Sequence, residues 1–145
     1  MSDKKNILKI MVFGTFDGLH PGHLNFFKQA KKIAKNSILI VSIARDKNVK
    51  KIKGSLPLSS EKKRMNLVKK SVLVDKVVLS GLNSYLPHIV KERPDIIALG
   101  YDQNFYVKNL KKDLQNKGLV VKIVRMKSYK KNIFKNSLLK QRRRV

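Results

Sequence analysis

Apolar residues fall in short runs, separated by stretches with a single apolar face. Ile7–Phe13 (ILKIMVF) ends at Gly14 and predicts a buried strand. Gly22–Lys35 carries apolar residues at Leu24, Phe27, Ala30, Ile33 and Ala34, a one-sided helical spacing. Ser37–Ala44 (SILIVSIA) predicts a second buried strand. Arg45–Leu58 is polar and basic, with Gly54 and Pro57, and predicts a loop. Ser59 or Ser60 can cap a helix running to about Lys70, with Glu61 in the first turn, where the helix dipole favours negative charge. Val74–Leu79 predicts a third strand, and Ser84 opens a helix that tolerates Pro87 in its first turn. Asp95–Leu99, closed by Gly100, predicts a fourth strand. Asn104–Asn116 predicts a helix ended by Gly118, Leu119–Val124 a fifth strand, and Phe134–Gln141 a last helix.

Strands thus alternate with helices, and the strands are apolar on both faces. Strands of that kind are covered on both sides, as in a parallel sheet. The pattern predicts an α/β fold: one doubly wound parallel sheet of about five strands in a single domain, residues 1–140, followed by a basic tail at 141–145. No internal repeat or linker interrupts it. Such sheets bind ligands beyond the carboxyl ends of their strands, near the point where the winding reverses. Chemistry is therefore expected in residues 14–23, 45–53, 100–105 and 125–137.

Composition narrows the class. The 145 residues are 42% hydrophobic, enough for a core, so disorder throughout is excluded. No apolar run approaches the roughly 20 residues of a membrane span. The first residues, MSDKKNILKIMVFG, lack the apolar core of a secretory signal. The chain has no cysteine, which removes disulfides and thiolate sites and fits a cytoplasmic protein.

The formal net charge is +25, unevenly spread. Residues 76–105 are neutral in sum, whereas ten cations and no acid lie between Lys122 and the end. Such a field attracts polyanions, whether nucleic acid, an anionic membrane or a triphosphate. A solvated lysine-rich surface is the plainer reading of the same charge.

The chemistry concentrates in Gly14-Thr15-Phe16-Asp17-Gly18-Leu19-His20-Pro21-Gly22-His23. Pro21 suits a helix start. His20 and His23 are three apart across that start, so both rings can face one side. A helix N-terminus offers N–H groups to a phosphate, and imidazoles beside it can stabilise charge as a phosphorus centre becomes five-coordinate. Zinc is the competing use of two histidines, but no third ligand accompanies them. The GxGxxG and P-loop phosphate cradles are absent.

The string GTFDGLHPGH resembles the HxGH signature of the cytidylyltransferase-like nucleotidyltransferases. The resemblance implies a Rossmann-like sheet and attack of a substrate phosphate on the α-phosphate of a nucleoside triphosphate, with pyrophosphate leaving and Mg²⁺ assisting. It implies that His20 and His23 hold the α- and β-phosphates, and that Gly14, Thr15, Phe16, Asp17, Pro21 and Gly22 form the surrounding nucleotide site. Residues 44–54 (ARDKNVKKIKG) are similar to the family's basic segment after the second strand. There Lys51 and Lys53 can neutralise phosphates, although solvated lysines would look the same. Gly100-Tyr101-Asp102-Gln103 is similar to the element that ends the fourth strand, which implies nucleoside contacts for Gly100, Asp102 and Gln103. Its form is nearest the archaeal-type FAD synthases. Residues 125–131 carry Tyr129, and 134–137 carry Asn136 and Ser137, at places the family uses for the nucleotide.

The sequence also departs from the family pattern. Lys63 stands where an arginine is usual, with Arg64 next, and the paired hydroxyls near the C-terminus are reduced to Asn136-Ser137.

The resemblance therefore implies transfer of AMP from ATP to FMN, giving FAD and pyrophosphate. Tyr101, Phe105, Tyr106 and Tyr129 could supply a flat surface for the flavin, or could be core. A cytidylyltransferase acting on glycerol-3-phosphate is the alternative within the same chemistry. A nucleic-acid binder on an inactive fold is the alternative of another class; it is disfavoured because the cations are not interleaved with aromatic platforms. Family members are often dimers, so a homodimer is compatible with the resemblance. His88 is expected to be a surface residue remote from the site.

Overall fold

The first strand, β1 (Leu8–Gly14), pairs along its whole length with β2 (Ser37–Ile43) in parallel register, Leu8 opposite Ser37 and Gly14 opposite Ile43. On its other side β1 pairs with β4 (Ile96–Leu99). The edge strands are β3 (Lys76–Leu79) beside β2 and β5 (Lys122–Arg125) beside β4. All pairings are parallel, and the order is β3-β2-β1-β4-β5. The winding therefore reverses between β1 and β4. The computed structural model describes residues 7–82, 84–103 and 107–128.

The period of two along β1 assigns its side chains to two layers. Ile10 and Val12 pack with Phe27 and Ala30 of α1 (Pro21–Lys31) and Val68 of α3 (Glu61–Lys69). Met11 and Phe13 pack on the opposite face with Ile89 of α4 (Tyr85–Glu92) and with Leu110 and Leu114 of α5 (Val107–Asn116). The five expected strands and the doubly wound parallel arrangement are present.

One element departs from expectation. The stretch read as a loop contains α2 (Asp46–Lys53), with Val49 buried beneath it. Its ends stabilise it more than its core does. Asp46 lies in the first turn and Lys50, Lys51 and Lys53 in the last, as the helix dipole favours, and Gly54 closes it at φ 85°, a left-handed cap. Elsewhere α1 stops at Lys31, four residues short of Lys35, while Ile33 and Ala34 still pack on the core from the turn that follows. The helix expected at Phe134–Gln141 and the tail at 141–145 lie outside the described residues.

Candidate active site

The turn after β1 is shaped by Gly14 and Phe16. A Cβ on Gly14 would lie 2.6 Å from the Phe16 ring, so only glycine lets that ring fold back over the strand end. Phe16 itself adopts φ 52°, a left-handed conformation costly for a bulky residue. Its buried ring packs against Phe27 and stands edge-on to His23, 5.3 Å between centroids in each case. The strained turn thus sets the position of a motif histidine.

The two histidines form the N-terminus of α1. His20 is the cap, and its Nδ1 accepts from the Gly22 N–H at 3.1 Å. The His23 Nδ1 accepts from the His20 N–H at 3.3 Å. The rings stack with centroids 3.7 Å apart. This corrects the expectation that backbone N–H groups at this helix start serve a phosphate. Pro21 has no N–H, the N–H groups of His20 and Gly22 go to the two rings, and His23 N and Leu24 N bond to the His20 carbonyl. His20 and His23 both line the cavity at the sheet end, so the rings rather than these backbone N–H groups can meet a ligand there. A nitrogen that accepts carries no proton, so this pattern assigns the proton of each ring to Nε2.

Burial, with repulsion from His20, pushes the His23 imidazole down to about 4. At neutral pH His23 is an uncharged N–H donor. The unfolded chain takes up a proton there near the ordinary value of about 6.5, the folded chain only near 4. His23 therefore contributes stability at neutral pH that is lost as pH falls through that window. An imidazole nitrogen NMR titration is expected to find His23 still neutral, with Nε2 protonated, at about pH 5.5; a midpoint at the ordinary histidine value would contradict the assignment.

Arg64 holds the site's backbone together. Its side chain is wholly buried, and its guanidinium donates to the carbonyls of Thr15 (2.9 Å), Ala44 (2.7 Å) and Ser59 (3.0 Å) and to the Asp46 carboxylate (2.7 Å). Asp46 and Glu61, each the first residue of its helix, accept from one another's N–H. The ends of β1 and β2 and the starts of α2 and α3 are thereby tied to one planar fork. In the sequence Arg64 is marked only as the neighbour of Lys63.

Across the reversal point, Gln103 stitches β1 to β4: Nε2 donates to the Phe13 carbonyl and Oε1 accepts from the Gly100 N–H, both at 2.8 Å. Arg125 donates to the carbonyls of Gly100 (2.9 Å) and Gln103 (2.7 Å) and fixes that turn from below. On the far wall the Gln29 amide pairs with the Lys127 backbone in both directions, at 2.9 and 3.0 Å.

These segments enclose a cavity of about 850 Å³ at the carboxyl end of the sheet. Of the residues singled out from sequence, Gly14, Thr15, Phe16, Asp17, His20, Gly22, His23, Lys53, Gly100, Asp102 and Gln103 line it. Pro21 sits beside it as the first residue of α1. Lys51 is exposed on α2 and is not brought to the lining. Asp17 turns its carboxylate to the N–H groups of Leu58 (2.6 Å) and Ser59 (2.9 Å), pinning the loop after α2 to the motif. Asp102 and Tyr101 are exposed at the cavity. Tyr129, Asn136, Ser137, Phe105 and Tyr106 lie outside the described residues.

Lys127, within the expected 125–137 segment, also lines the cavity, as do Asn25, Gln29 and the 55–58 loop, which lie outside the expected segments. Polar helix positions such as Asn25 and Gln29 carry no sequence mark separating them from solvated ones. His88 corrects an expectation. It is half-buried, its Nε2 lies 2.8 Å from the Ser42 hydroxyl, and burial holds its imidazole below the ordinary value.

Residues 11–142 match the model of the family described as cytidylyltransferase-like. The chain belongs to the cytidylyltransferase-like family. This cytidylyltransferase-like chain is 40% identical over 141 residues to an FAD synthase of Thermococcus sibiricus, a match covering 96% of the chain and 94% of that protein. It is 43% identical over 123 residues to an FAD synthase of Methanothermus fervidus, 84% of each. Among solved structures it is similar to the lipopolysaccharide core biosynthesis protein of Thermoplasma volcanium, with TM-score 0.77, 34% identity, and coverage of 84% of this chain and 98% of that one. A pantoate-beta-alanine ligase from Francisella tularensis shares the fold at TM-score 0.53 and 18% identity, covering 82% of this chain and 59% of that one.

Proposed function

We propose that the chain is an FMN adenylyltransferase that transfers AMP from ATP to FMN, giving FAD and pyrophosphate. The match along 96% of the chain to an FAD synthase carries this reading. The cavity supports it, since about 850 Å³ lies in the upper part of the usual range for small-molecule sites and suits two substrates. The nucleotidyltransferase domain is taken as residues 1–140.

In this reading an oxygen of the FMN phosphate attacks the α-phosphorus of ATP in line. The new P–O bond forms as the bond from the α-phosphorus to the bridging oxygen breaks, and pyrophosphate leaves with the electron pair. No general base is needed, because the attacking phosphate is already an anion at neutral pH. His20 and His23 donate Nε2–H to the phosphate oxygens as charge builds on them, in a turn already fixed by Phe16 and Arg64. Lys53, at the cavity wall, and the positive end of α1 offset the triphosphate charge.

Among the described residues no group of three His, Cys, Asp or Glu side chains gathers to hold a metal. Mg²⁺ would arrive with the nucleotide as part of that substrate, and Asp102, exposed at the cavity, is the carboxylate this reading assigns to the nucleotide or its cation. Among the described residues no helix is long and apolar enough to cross a membrane. A cytoplasmic setting and a homodimer belong to the proposal; sedimentation of the purified protein tests the dimer.

Pyrophosphate release measured with ATP and with CTP, each paired with FMN and with glycerol-3-phosphate, tests the reading. Turnover is expected with ATP and FMN; turnover confined to CTP and glycerol-3-phosphate would contradict it. Asp102→Ala is expected to raise the KM for ATP about five- to tenfold while kcat changes little, the scale of one ordinary hydrogen bond lost at an exposed position. An unchanged KM would remove Asp102 from the nucleotide site.

A further inference from the structure

A second, smaller pocket of about 130 Å³ opens on the β2–β3 side of the sheet end. It shares Phe13, Gly14, Thr15, Val49, Lys53 and Gln103 with the main cavity, so the two are adjacent and Lys53 stands on their common wall. Ser80, at the exit of β3, lines it and is 2% exposed. Among the described residues its Oγ is the buried side-chain polar atom that has no hydrogen-bond partner.

Buried hydroxyls are nearly always paired, because a donor removed from water with no partner loses its hydration without compensation. Several groups beside Ser80 are held in hydrogen bonds of the protein. The Ser80 carbonyl accepts from Arg45 Nε at 2.6 Å, Asn48 Nδ2 donates to the Gly81 carbonyl at 2.9 Å, and Ser42 pairs with His88 at 2.8 Å. The frame is fixed and one hydroxyl within it is unsatisfied. No hydrogen bond within the protein holds that hydroxyl, so none is broken if it bonds to an occupant of the pocket that Ser80 lines.

We propose that this pocket receives the hydrogen-bonding end of the acceptor's flat heterocycle, with Ser80 Oγ as the group that selects it. The inference rests on the FMN reading above. The pocket is too small for a whole tricyclic ring system but large enough for one ring of it. The pyrimidinedione end carries carbonyl oxygens and an N–H, and a serine hydroxyl both donates and accepts. The dimethylbenzene end would leave Ser80 unpaired. Phe13 and Tyr85, edge to face at 5.6 Å and 87°, give the pocket an aromatic side. A phosphate seated at Lys53 would join this ring end to the reacting centre in the main cavity. A small phosphate alcohol has nothing to place there.

The test compares Ser80→Ala and Ser80→Leu with the unaltered chain, using FMN turnover and, as a phosphate-free probe, riboflavin binding followed by quenching of its fluorescence. Ser80→Ala is expected to raise the FMN KM and weaken riboflavin binding by about five- to tenfold, the loss of one hydrogen bond. Its ATP KM and saturated kcat should hold, and its melting temperature should not fall, because no bond within the protein is lost. Ser80→Leu, which fills the pocket, should weaken both flavins further while ATP binding persists; Ser80→Ala decides the matter alone if the leucine variant does not fold. Unchanged FMN KM and riboflavin affinity in Ser80→Ala, with the unaltered chain active on FMN, would overturn the subsite alone. An unaltered chain inert toward FMN would overturn the acceptor reading and the subsite with it.

Discussion

His23→Ala is expected to lower kcat for FMN adenylylation by about 10²–10³-fold, the usual effect of removing one preorganised donor from a charge-stabilising site. The KM for ATP should move much less, since the bond from Nε2 tightens as the phosphorus becomes five-coordinate and is weak in the ground state. His23 also accepts the His20 N–H and stands against the Phe16 ring, so some stability is lost as well. A thermal melt separates the two effects: the variant should remain folded and bind ATP while failing to turn over. His20→Ala should lose a comparable factor and also the bond from Gly22 that caps α1. Because the rings stack and act on one phosphate chain, the double variant should be little worse than either single one. Steady-state pyrophosphate release checks all three, and a kcat for His23→Ala within about threefold of the unaltered value would contradict the role, since the expected loss is far larger.

Arg64→Ala is expected to lower the unfolding free energy by about 3–5 kcal/mol, the scale of removing one partner from a buried charged pair. It leaves three carbonyls and one carboxylate without their shared donor, where β1, β2, α2 and α3 meet. Arg64→Lys keeps the charge but loses the planar fork and cannot reach four acceptors, so it should recover less than half of the loss. Urea unfolding measures both. A loss below about 1 kcal/mol in Arg64→Ala would mean the guanidinium is not what holds the loops together.

The contrast between these two residues indicates what the sequence made legible. The histidines stand out because GTFDGLHPGH follows an apolar run with three glycines, a proline and two imidazoles in a short span. Arg64 is one of 34 cations, and nothing local separates a buried guanidinium from a solvated one. The sheet was readable because β1, β2 and β4 lie in its interior, buried on both faces. The edge was harder. Leu119 and Val121 read as strand residues, but they are apolar because they pack with Leu110 and Leu114, and the strand itself begins at Lys122. Helix α2 was missed because Val49 is its one buried residue, and its determinants are a capping glycine and charges at its ends, which also mark a loop. Asp17 and Gln103 were chosen as residues that meet the nucleotide. The structure places both at the cavity with their polar atoms turned to backbone, a use of carboxylate and amide that no spacing rule anticipates.

The proposed reaction requires the imidazoles of His20 and His23 to grip the phosphates that react. A crystal structure of the chain with a non-hydrolysable ATP analogue measures this most directly. The Nε2 atoms of His20 and His23 should lie about 2.7–3.2 Å from α- or β-phosphate oxygens, with both Nδ1 atoms still accepting backbone N–H groups. A nucleotide seated in the cavity with both rings turned from its phosphates would contradict it.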